Sequence, residues 1–192
     1  MKTSDYALNY GTILGAANVA FALMLFFLDA HYQQDSASNI VGAVLVIGFV
    51  NYGIFQFRQD NDGFISLSEG LKIGVGIALV SAIITTLYGI ILTEFMDPQF
   101  IDKVFEIQRQ KMLESNPELS EEDASNAIEI SKNFTTIPFR IAFGILGGVI
   151  FGFIISLIGG LILKRSKPQQ NSIFVALLQN IHFGNFCCDS FI

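Results

Sequence analysis

Four stretches of this chain are apolar almost without interruption, and polar residues collect in the gaps between them. The apolar stretches cover about residues 8–28, 40–57, 73–95 and 137–163. Each is close to the roughly 20 residues that a helix needs to cross the hydrocarbon core of a bilayer. Backbone groups in lipid must be satisfied within the chain, so all four are predicted to be helices. A soluble bundle would show a polar face recurring near every 3.6 residues. The run IGVGIALVSAIITTLYGIIL has no charged residue on any face, which points to lipid instead. The first stretch reads as a retained helix and not as a cleaved leader. It is long for a leader's apolar region, Asn9 and Asn18 interrupt it, and no small-x-small cleavage site follows cleanly. The predicted fold class is an all-α integral membrane protein: four transmembrane helices, with an extracytoplasmic amphipathic helical hairpin between the third and the fourth.

The hairpin is predicted from residues 97–136, where the pattern changes. Nine acidic residues stand against four basic ones. Pro98 suits the first turn of a helix. Phe100, Ile101, Val104, Phe105 and Met112 then share one side, with Asp102, Lys103, Glu106 and Arg109 mostly on the other. Asn116-Pro117 ends that helix, because a residue before proline avoids the α region. Ser120 followed by Glu121, Glu122 and Asp123 reads as the start of a second helix, whose thin apolar face is Ala124, Ala127 and Ile128. This face packs on its partner helix and the membrane surface, or it docks another protein. The acidic residues lack the ligand spacing and turn glycine of an EF-hand, and no metal is expected.

Glycine is abundant where a helix former would be expected, and its spacing is regular. Counting by four gives Gly144, Gly148, Gly152, Ser156 and Gly160 in the last stretch, and Gly70, Gly74, Ala78, Ala82 and Thr86 in the third. Small residues repeated every four positions let two helices approach closely in lipid. The two rows are expected to pack on each other as an antiparallel pair, or else to join two protomers of a homo-oligomer. Gly11 and Gly15 form a shorter version in the first helix.

Composition agrees with the membrane reading. Of 192 residues, 52% are hydrophobic and only 15% charged, against about 25% in soluble domains. A net charge of −6 makes nucleic acid a poor partner. The expected surroundings are a lipid bilayer. Placing both termini in the cytoplasm puts Lys2, Arg58, Lys72, Lys164, Arg165 and Lys167 inside, and leaves the segment 29–39 outside without a basic residue.

Candidate chemistry is sparse. No nucleophile with a positioned base, no metal-ligand spacing and no phosphate loop can be found, so neither an enzyme nor a cofactor is expected. His31 and His182 read as surface residues, and Cys187-Cys188 as inert or acylated thiols. No ionisable group lies near the centre of a span. Asn18, Asn51, Thr85 and Thr86 are the polar intramembrane candidates, with Ser81 and Tyr88 near them; they bond between helices or line a polar path. Glu94 and Arg140 lie at the outer ends of their helices, where they can pair. Two function classes follow: a structural or accessory protein that binds a partner through 97–136, or a small oligomeric transporter or channel.

The order of features resembles a known family. A short N-terminus ends in Tyr10-Gly11, and the loop FRQDNDGFISLSEGLKIGVGIAL leads into the third helix. The insert MDPQFIDKVFEIQRQKMLE is followed by LSEEDASNAIEISKNF, and a glycine-rich helix closes on the basic KRSKP. In these features the chain resembles the bacterial membrane family known as domain of unknown function 4199. The resemblance covers about residues 1–168 and implies an inner-membrane protein without an assigned activity. The tail, 169–192, departs from it. Residues 172–181 fit a short interfacial helix, or the terminus has been altered by a frameshift.

Overall fold

The computed structural model describes residues 2–32 and 36–165. The expectations for the tail, including the 172–181 helix and Cys187-Cys188, lie outside the described residues. Those described form α1 (Thr3–Phe27), α2 (Ser36–Asp60), α3 (Leu67–Ile91), α4 (Phe100–Ser115), α5 (Glu121–Lys132) and α6 (Ile137–Leu163). A π turn, Leu92–Met96, extends α3. There is no strand among the described residues, and α1, α2, α3 and α6 are each long and apolar enough to cross a membrane.

Three spans start well before their apolar stretches, because backbone hydrogen bonding continues into polar flanks that hydropathy ignores. α3 begins at Leu67 and not near 73. Ser66 Oγ accepts from the Glu69 N–H at 3.2 Å, and the Glu69 carboxylate accepts from the Ser66 N–H at 2.8 Å. This reciprocal cap satisfies donors that the first turn leaves open. At the insert, the placement of Pro98 needs correction. It precedes the Gln99 N-cap, and α4 starts at Phe100. Asp97 Oδ1 accepts from the Gln99 N–H at 3.2 Å and holds this turn outside the helix. Ser120 caps α5 as read, accepting from the Asp123 N–H at 3.1 Å.

α3 is the central helix, with α1 along one side, α6 along another, and α2 in contact with all three. The core is Leu14, Val50, Ile54, Phe57, Ile65, Ile73, Ile77 and Ile155. It sits toward the end of the bundle opposite the insert. There the 61–66 loop turns through Asp62 and Gly63 in the left-handed region, at φ 56° and 79°, a conformation that glycine adopts without steric cost. Ile65 and Arg165 exchange N–H···O=C bonds of 3.0 Å in both directions, tying the loop to the end of α6. α2 buries Val50, Gly53, Ile54 and Phe57 in its second half; no residue described in its first half is buried. The bundle is therefore tight at the loop end and looser toward the insert.

Candidate functional site

Two seams hold α3. A methyl added at Gly148 would stand 2.7 Å from Ala82 Cβ, and one at Gly144 would stand 2.7 Å from Thr86 Oγ1. Gly152 faces Ala78, Gly74 faces Ser156, and Gly70 meets the Gly160 backbone. Each step of four up α3 is a step of four down α6, so the two rows meet as antiparallel partners within one chain. The second seam joins α1 to α3 in parallel: Ala7 faces Gly76, Gly11 faces Val80, and Gly15 faces Ile84. Positions 74 and 76 differ by two residues, roughly 200° around a helix. The seams thus occupy opposite sides of α3. The sequence signals the α1 seam only through Gly11 and Gly15, because on α3 it consists of β-branched residues and one glycine, which look like ordinary span.

The intramembrane polar groups are divided among local partners. Asn18 Nδ2 donates to Ser81 Oγ at 3.4 Å across the α1–α3 seam. Asn51 Nδ2 donates to the Ile47 carbonyl at 2.8 Å on its own helix, while its Oδ1 lies against Gly159. Thr85 Oγ1 donates to the Ser81 carbonyl at 3.0 Å. Thr86 belongs to the α6 seam. The structure does not gather these groups into one polar cluster.

Glu94 and Arg140 do approach, with Nη1 3.4 Å from Oε1. Arg140 also does something the sequence did not suggest. Its Nη2 donates to the Gly89 carbonyl at 3.0 Å and to Thr93 Oγ1. The shift from α to π turn redirects backbone bonds just here, and the guanidinium supplies donors to the disturbed turn.

The densest polar constellation lies at the root of the insert, and it requires a correction. His31, expected at the surface, has a side chain only 6% exposed. It packs among Phe26, Tyr32 and Phe100, with the Phe100 ring parallel within 7° at 5.7 Å. The Tyr32 hydroxyl donates to Asp97, and Lys103 Nζ donates to the Tyr32 hydroxyl at 2.9 Å. Lys103 Nζ also stands 3.9 Å from Asp97 Oδ1 and 4.6 Å from the centre of the Tyr32 ring. The Tyr32 hydrogen bond, with the Lys103 charge behind it, holds the Asp97 carboxyl below its ordinary value against an opposing effect of burial. The same Tyr32 bond and the Asp97 charge raise Lys103. These contacts join the α1–α2 loop to the start of α4 across more than sixty residues of sequence, a separation at which no local pattern signals proximity.

A pH dependence follows. A carboxyl depressed in the folded state adds stability above its unfolded value, about 3.9, and that contribution disappears as pH falls through the folded value. Asp97→Asn should therefore lower the thermal midpoint in detergent at pH 6, and the gap from wild type should narrow as pH drops below about 4. A gap of the same size at pH 3 would overturn the ionic role of Asp97.

Beyond the root, α4 and α5 pack mainly on each other. Ala124 is fully buried and Ile128 nearly so. Lys132 Nζ bonds Asp102 Oδ1 at 2.8 Å, and it lies over the Phe105 ring. Ile130 and Phe134 stay exposed.

Four spanning helices sewn through α3, with a charged helical insert rooted at one end, define a multi-pass helical membrane protein. The chain belongs to the family described as protein of unknown function (DUF4199), whose profile matches residues 9–165. No curated protein and no solved structure matches it.

Proposed function

We propose that this chain is an accessory protein of the bacterial inner membrane, with both termini cytoplasmic, that presents the 97–136 insert to a protein partner outside the cytoplasm. The observation that carries this reading is the construction of the insert. It is tied to the spans at its root and otherwise folds on itself. It projects a surface with an excess of five negative charges and exposed apolar residues at Ile130 and Phe134. The proposal gives the protein no catalytic role. A channel built on Asn18, Asn51, Thr85 and Thr86 is not favoured, since three of these side chains hydrogen-bond locally and Thr86 is packed in a seam.

A photo-crosslinking residue at Ile130 should yield a discrete protein adduct in cells. Deleting 97–136, or placing Glu at Phe134, should remove that adduct while the four spans still insert. An adduct pattern unchanged by Phe134→Glu, or no discrete adduct from Ile130, would refute the docking role.

A further inference from the structure

The loose first half of α2 leaves a crevice of about 410 Å³ between α1, α2 and α6 at the insert end. Pockets of roughly 300–1,000 Å³ with apolar walls and a few polar groups are typical ligand sites. Here the walls sort by depth. His31, Ser38 and Asn39 line the end nearest the insert; Phe21, Val46 and Phe151 line the part within the spans, over a floor that includes Gly42 and Ala43. From residue 38 to residue 46 is about 12 Å along a helix. The crevice is polar where a lipid headgroup would lie and apolar where its chain would lie.

His31 supplies an independent observation. Its side chain is 94% buried, and among the described residues neither ring nitrogen has a hydrogen-bond partner. Asp97 Oδ2 is 3.6 Å from Nε2, outside hydrogen-bond reach. A buried polar group left unsatisfied is costly, and the neighbours of this ring on its other sides are aromatic. The crevice it lines is where a partner atom can come from, and the broad χ2 torsion of histidine lets the ring turn toward it.

We propose that this crevice binds an uncharged membrane lipid, with a hydroxyl of its headgroup hydrogen-bonded to His31 and its hydrocarbon chain lying along Gly42, Ala43 and Val46. The charge balance selects the headgroup. Among the described residues, no Lys, Arg, Asp or Glu lines the crevice. The ionised Asp97 behind His31 repels an anionic headgroup, and Lys103 is already engaged by Tyr32 and Asp97.

The test uses the full chain in nanodiscs of phosphatidylcholine, with three probes carrying a photoreactive group on the tail: a monoacylglycerol, an alkylated quinol and phosphatidylglycerol. One or both uncharged hydroxyl probes should label residues 38–46, and which one does so identifies the source of the hydroxyl. His31→Phe keeps a ring for Phe100 to stack on but removes both nitrogens; it should reduce labelling roughly fivefold, the equivalent of one hydrogen bond. Gly42→Leu should abolish labelling without harming the fold, because a Cβ there meets nothing within 4 Å. Labelling insensitive to His31→Phe, equal labelling by phosphatidylglycerol, or no labelling of 38–46 would each overturn the assignment.

Discussion

Gly152→Leu should lower the thermal midpoint of the protein in detergent by roughly 6–12 °C, taking overpacking at the upper end of its usual range, about 3 kcal/mol, in a chain of this size. The first added carbon already collides with Ala78 Cβ, and the Gly74 carbonyl lies at 3.7 Å. Neither obstacle is the far end of a flexible side chain that could swing aside, so α6 must move off α3. In lipid, close packing and weak hydrogen bonds drive helix association, so separating the helices removes the cause of their pairing. Gly147→Leu is the control, since a Cβ at Gly147 meets nothing within 4 Å. Equal losses for Gly147→Leu and Gly152→Leu would show that leucine harms this helix anywhere, and the seam would not be what orders it.

The second large effect belongs to α1. A Cβ at Gly11 would stand 2.7 Å from Val80 Cβ and 2.9 Å from the Ile77 carbonyl oxygen. Backbone cannot yield as a side-chain tip can, and β-branched Val80 has little χ1 freedom. Gly11→Leu should therefore detach α1 from α3. It should lower the midpoint by an amount comparable to Gly152→Leu, about 3 kcal/mol. Gly48→Leu, where the space is open, should leave the midpoint unchanged. If Gly11→Leu lowered the midpoint no more than Gly48→Leu does, the parallel α1–α3 register would have to be abandoned.

Leucine at Gly11 and at Gly152 should do similar damage, yet only one of these seams was easy to read. On α6 and α3 the small residues recur every four positions over four steps, and such a row is visible in one dimension. On the α1 side the complement of Gly11 and Gly15 is Val80 and Ile84, indistinguishable from residues that face lipid. The helix ends show the same division. Ser66 and Glu69 carry a local cap signal that the polar flank concealed beneath hydropathy. Asp97, by contrast, holds Pro98 outside α4 through a contact with the Gln99 N–H that only the turn's geometry reveals.

Local composition and periodicity by themselves determined that the chain crosses a membrane four times, where its charged insert lies, and which small residues form rows. Lipid acts on each span separately, and helical spacing is a property of one segment, so both are written in short windows of sequence. Tertiary structure alone decided the burial of His31, the Tyr32–Asp97–Lys103 contacts, the use of Arg140 on the Gly89 carbonyl, and the crevice beside α2. Each depends on the register between helices or loops that no local window of sequence contains, and that register is set by how closely two backbones can approach.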